Sequence, residues 1–143
     1  MNDLIVKLIS RLLIPFIQLY GIYIILHGHL SFGGGFSGGA LVGSSLMLYA
    51  IIFGLKESEK KLPHSVSQFI ESFGVLAYII IGFIGMILVG SFLSNKSAGF
   101  SLGEFGTLFS AGMIPLLTLA IGIKVASTMI TLLQRLLKED SHD

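Results

Sequence analysis

Ser37, the pair His27 and His29, and Lys124 are the residues whose types and settings invite chemistry. Ser37 stands in Gly35-Phe36-Ser37-Gly38, the G-x-S-G spelling of an intramembrane serine protease with its serine at a helix start. With Gly39 added, the stretch also fits the G-x-S-x-G elbow of α/β hydrolases, as does Gly99-Phe100-Ser101-Leu102-Gly103. The elbow needs a strand-to-helix turn on a large sheet, which this sequence cannot build. A serine nucleophile also needs a base within hydrogen-bond reach. His27 and His29 share its loop, His64 belongs to the opposite side and His142 to the tail. Catalysis by Ser37 is therefore the alternative reading, not the leading one.

His27 and His29, two imidazoles at i and i+2, do not make a metal site. There is no cysteine, and the one acid that could complete a set is Glu104 from the other outer loop. Neither a metal ion nor a cofactor is expected. Gly33-x-Gly35-x-x-Gly38 spells a dinucleotide fingerprint, but that motif needs a preceding strand and an acid about 20 residues on. An apolar helix precedes it here, and the next acid is Glu57.

Lys124 is the one ionisable residue well inside an apolar run. A lysine at that depth is costly unless it faces protein or water, and it marks function by default. Lys124, Thr128, Thr131, Arg135 and Lys138 recur at steps of four and three, one face of a helix. Toward the other end the same face turns apolar, with Leu117, Ala120 and Ile121. The pattern predicts a polar stripe from the helix end to Lys124, either a half-channel for protons or water or a seam against another subunit. Lys124, Thr128 and Thr131 are its candidate path residues. The competing expectation ends the span near Lys124 and lays 125–138 on the membrane surface, with the lysine snorkelling. Pro115 is expected to kink this helix.

The elements that must position these residues follow from composition. The sequence has 143 residues, 53% hydrophobic and 12% charged, against about a quarter charged in soluble domains. A span needs roughly 20 apolar residues. Four runs qualify: Ile5 to Leu26, Phe36 to Leu55, Phe73 to Leu93 and Leu108 to about Leu133. No A-x-A cleavage pattern follows the first, so it is expected to remain in the mature protein. Ser65-x-x-Gln68 has capping-box spacing and predicts a third helix beginning near Val66.

With four spans, Lys7, Arg11, Lys56, Lys60, Lys61, Arg135 and Lys138 share one side, and Lys96 stands on the other. That asymmetry predicts cytoplasmic termini. The reading is an all-α membrane protein, a single four-helix domain over 1–143 with helices about 5–26, 36–55, 66–93 and 107–133 and a glycine-rich outer loop at 27–39. A net charge of +1 gives no basic field for nucleic acid.

Glycine fills six of the thirteen positions from His27 to Gly39. It lets helix ends approach closely and takes positive φ. The segment is expected to be a close-packed outer turn or a re-entrant bend. Burial by a partner is favoured, because Leu30, Phe32 and Phe36 are too apolar for a free loop. Gly82 and Gly85, with Gly43 and Ser44, offer further small surfaces for helix packing.

The stretch from Leu12 to Gly54 resembles the signature of the MnhB-type subunit, the B-type component of the multisubunit Mrp or Mnh Na⁺/H⁺ antiporters. That family reads H-G-H-x-S-P-G-G-G-F-Q-G-G here. This sequence matches at His27, Gly28, His29, Ser31, Gly33, Gly34, Gly35, Phe36, Gly38 and Gly39, and departs with Phe32 for proline and Ser37 for glutamine. A related region occurs in the large A-type subunit and in membrane-bound hydrogenases of respiratory type. The resemblance implies a non-enzymatic subunit in a bacterial or archaeal plasma membrane. Its partners would be other antiporter subunits, the complex exchanging cytoplasmic Na⁺ for external H⁺.

The acids support a part rather than a whole. Asp3, Glu57, Glu59, Glu104, Glu139, Asp140 and Asp143 fall at termini or loops, and Glu71 reads as an interfacial acid in the first turns of the third span, where it suits the helix dipole. Coupled exchange needs a titratable relay, and Lys124 alone is a thin one. A small self-assembling channel is the remaining alternative.

Overall fold

A computed structural model of the chain describes residues 2–30, 33–93 and 112–139. Every regular element there is helical: α1 (Asn2–Leu26), α2 (Gly34–Phe53), α3 (Leu55–Lys61), α4 (His64–Val89) and α5 (Ile114–Glu139). The four long helices are each long and apolar enough to cross a membrane. Their outward faces carry Leu12, Phe16, Phe69 and Ile87, all more than 60% exposed. Water does not tolerate so much continuous apolar surface, whereas lipid does.

The helices lie in the spatial order α1, α2, α5, α4. Central α2 packs on α1 and α5, while α4 rests mainly on α5. Short α3 folds under the end of α2, turned there by Gly54 at φ 91°. Contacts across one end of the bundle join Arg11 to Phe53, Lys61 to Tyr49, and Lys138 to Glu59 at 2.6 Å.

Several boundaries differ from those expected. The glycine segment is a loop only as far as Gly33, and Gly34 already opens α2. Helix α4 begins at His64 with Pro63 before it, and no side chain caps it. The Ser65–Gln68 box is therefore not formed, because Ser65 lies inside the first turn. A left-handed Gly90 ends α4, its N–H bonded to the Met86 carbonyl at 2.8 Å. Pro115 is the second residue of α5, where its missing N–H would have had no helical partner anyway. It starts the helix rather than kinking it. Helix α5 runs unbroken through Lys124 to Glu139, so 125–138 forms no separate surface helix. The expected start of that helix at 107, Ser31 and Phe32, and the 99–103 echo with Glu104 lie outside the described residues.

Candidate functional site

The glycines of α2 form two rows. Gly35, Gly39 and Gly43 recur every fourth residue and face α5. A methyl group on Gly35 would overlap the Thr118 carbonyl, and one on Gly39 would stand 2.5 Å from the Gly122 carbonyl. At Gly43 it would meet Met129 at 2.9 Å. Gly38 faces α1, where a methyl would stand 2.7 Å from the Gly21 carbonyl. Backbones meet at these distances only where side chains are absent, the small-residue packing of membrane helices. Helices α1 and α5 of the same chain cover these glycines, whereas Leu30, whose apolar character led to the expectation of a partner, stays 40% exposed. Phe36, in the same motif, stays 67% exposed.

The other signature residues are local. His27 Nδ1 lies 3.0 Å from the Tyr23 carbonyl, and its ring stacks on Tyr23 at 4.2 Å. Gly28 packs against Gly34, and Gly33 takes φ 114° before α2. Ser37 donates to the Gly34 carbonyl of its own helix at 3.4 Å. That is its one hydrogen bond among the described residues, and it joins no imidazole. Among the described residues no three His, Cys, Asp or Glu converge as metal ligands.

The polar stripe on α5 meets α4. At the basic end of the bundle Gln134 is fully buried; His64 Nδ1 donates to Gln134 Oε1 at 3.1 Å, and Gln134 Nε2 donates to the Leu62 carbonyl at 3.2 Å. One turn inward, the Ser67 and Thr131 hydroxyls share a bond of 2.8 Å, and Ser67 lies 3.3 Å from the Ser127 carbonyl. The next turn joins Thr128 Oγ1 to Glu71 Oε1 at 2.8 Å. Gly74 then makes room for Lys124, whose Cβ would be 2.8 Å from any Gly74 methyl. A cavity of about 140 Å³ lies there, walled by Val75, Tyr78 and Ile121 as well. From Gln134 to Lys124 the seam runs about 15 Å at helical rise.

Lys124, Thr128 and Thr131 thus share the α4–α5 interface of this chain. Arg135, expected on the stripe, is exposed, and Gln134 takes its place. His64, Ser67 and Glu71 join the site without having been expected there. Their signal was present: 64, 67, 71 and 74 follow the same three-and-four spacing on α4 that the stripe follows on α5.

Thr128 has a further property. Its oxygen is 2.8 Å from Glu71 and 2.9 Å from the Lys124 carbonyl. A hydroxyl has one proton to donate and can accept as well, whereas an ionised carboxylate only accepts. With Glu71 ionised, Thr128 donates to it. With Glu71 protonated, Glu71 donates to Thr128, which donates on to the Lys124 carbonyl. Both protonation states of Glu71 are satisfied without moving a heavy atom.

Comparison with known proteins bears on the whole chain. The profile of a domain related to the MnhB subunit of Na⁺/H⁺ antiporter matches residues 5–131. The B-type component of the Na⁺/H⁺ antiporter of Alkalihalophilus pseudofirmus is 25% identical over 139 residues, covering 97% of this chain and 95% of that protein. The uncharacterized protein MJ1307 of Methanocaldococcus jannaschii is 36% identical over 114 residues, or 78% of this chain, which spans 43% of that protein's length. Among solved structures, a chain of the membrane-bound sulfane sulfur reductase, an archaeal respiratory membrane complex, superposes with a TM-score of 0.74 at 34% identity, covering 90% of this chain and 55% of that one.

Proposed function

The chain belongs to the family of domains related to the MnhB subunit of Na⁺/H⁺ antiporters, and from that premise we propose that it is an integral-membrane subunit of a multisubunit cation/proton antiporter. The observation that carries this reading is the end-to-end match with the B-type component of an antiporter, 97% of one chain on 95% of the other. The complex would exchange cytoplasmic Na⁺ for external H⁺ in a bacterial or archaeal plasma membrane. Both termini and α3 would face the cytoplasm, since the basic residues gather at that end.

Within the complex the chain has a structural role and contributes a proton path. The α4–α5 seam supports the second part. His64, Ser67, Thr131, Glu71 and Thr128 line one interface from the basic end of the bundle to Lys124. Glu71 and Thr128 form the polar pair at the middle of this seam, and Lys124 stands at its inner end. Glu71 lies within the candidate span His64–Leu88, so a carboxylate is available at the seam. One carboxylate does not complete a relay across the bilayer, and the remainder belongs to partner subunits.

The sulfane sulfur reductase likeness favours a second assembly for the same part, an antiporter module inside a respiratory membrane complex. Mild-detergent pull-down of the tagged chain from its native membrane distinguishes them. Large, many-helix membrane partners support an antiporter. Additional redox-active partners support the respiratory complex, and recovery of the chain alone overturns both.

A further inference from the structure

At the basic end of the bundle, α1, α2 and α3 enclose a cavity of about 300 Å³. Arg11 and Lys61 stand on its wall beside Gln18 and Tyr49, and Ile14 and Leu46 form part of its apolar lining. Each cation is placed by an aromatic ring: the Arg11 guanidinium lies 5.6 Å from the Phe53 centroid, and the Lys61 ammonium 4.4 Å from that of Tyr49. Neither forms an ion pair among the described residues. The nearby acids are engaged elsewhere, Glu57 with Lys60 and Glu59 with Lys138, each at 2.6 Å. Two positioned cations with no carboxylate partner among the described residues therefore share one concave site.

The geometry points to a binding site for the phosphate diester of an anionic glycerophospholipid. A guanidinium offers paired donors to phosphate oxygens, and the ammonium adds a point charge. Gln18 and the Tyr49 hydroxyl supply neutral donors for the rest of the headgroup. Ile14 and Leu46 give the first carbons of an acyl chain an apolar surface. The site sits where α2 ends at Phe53, the level at which a headgroup meets a spanning helix, and basic pockets between membrane helices on the cytoplasmic side suit such headgroups. The inference concerns the chain's own surface and does not depend on the antiporter reading.

The test is native mass spectrometry of the purified full chain, released from detergent containing equal phosphatidylglycerol and phosphatidylcholine. The expected result is selective retention of phosphatidylglycerol, reduced on the order of tenfold in Arg11→Gln/Lys61→Gln. It should be unchanged in Lys56→Gln/Lys60→Gln, which removes the same charge from the same end outside the cavity. Lys61 is exposed, so Lys61→Gln alone keeps the fold and should give a partial loss if the double variant misfolds. Equal retention of the two lipids, or equal loss in both double variants, overturns the site. Displacement of the lipid by millimolar inorganic phosphate assigns the cavity to a soluble phosphate and also overturns the lipid proposal.

Discussion

Thr128 Oγ1 stands 2.8 Å from Glu71 Oε1 and joins α5 to a carboxylate on α4. The pair sits between a buried hydroxyl pair, Ser67 and Thr131, and the lysine-lined cavity at Gly74. In Thr128→Val, Glu71 loses this donor at nearly constant side-chain volume. Thermal unfolding in detergent should show a loss of about 1 kcal/mol, since polar contacts between membrane helices are worth about that. Na⁺/H⁺ exchange by the assembled complex should fall well beyond what this stability loss explains, and Thr128→Ser should restore it. Equal activity in the valine and serine variants would remove the pair from the proton path.

The room that Gly74 leaves for Lys124 gives a steric prediction. Gly74→Val pushes on the lysine stem without touching its charge. Exchange activity should drop as it does in Lys124→Met, and the double variant should be no worse than either single one. Additive losses would show that Gly74 and Lys124 act separately.

Gly39 and Phe36 occupy the same signature but make opposite predictions. Gly39→Ala forces a methyl against the Gly122 carbonyl and should destabilise the bundle by about 1–3 kcal/mol, the usual cost of overpacking. Phe36→Ala removes an exposed ring and should leave the melting temperature of the isolated chain unchanged while weakening recovery of partner subunits. The two outcomes are separated by measuring melting and co-purification on the same preparations.

Lys60 supplies a pH control. Its hydrogen bond and charge attraction with Glu57 raise its pKa above 10.5. A raised value means the pair stabilises the fold at neutral pH and loses that contribution as pH rises through the raised pKa. Both side chains are exposed, so solvent screens the pair. Lys60→Met should therefore leave the melting temperature unchanged within error at neutral pH.

Four spans, the helical class and the pairing of Lys124, Thr128 and Thr131 on one face were legible in the sequence. Apolar run length and the 3.6-residue period record them directly. The partner of that face was not legible, because a polar stripe on α5 reads the same whether α4 or another chain covers it. Glu71 reads as an interfacial acid because it falls in the first turns of a helix beginning near Val66, and its partner on α5 was not legible. Helix α4 in fact starts at His64, so Glu71 lies about 10 Å along it. The glycines mislead in a related way. Their density spells a loop, yet Gly34 to Gly43 are helical, and they are needed for what lies across the interface: Thr118 and Gly122 on α5, Gly21 on α1.

The central claim is that this chain is a necessary but insufficient part of an antiporter. Its most direct test is sodium-driven proton movement in proteoliposomes, measured for the whole complex, the complex lacking this chain, and the chain alone. Exchange is predicted only for the whole complex. Sodium–proton exchange by the chain alone would contradict the account, as would full activity of the complex without it.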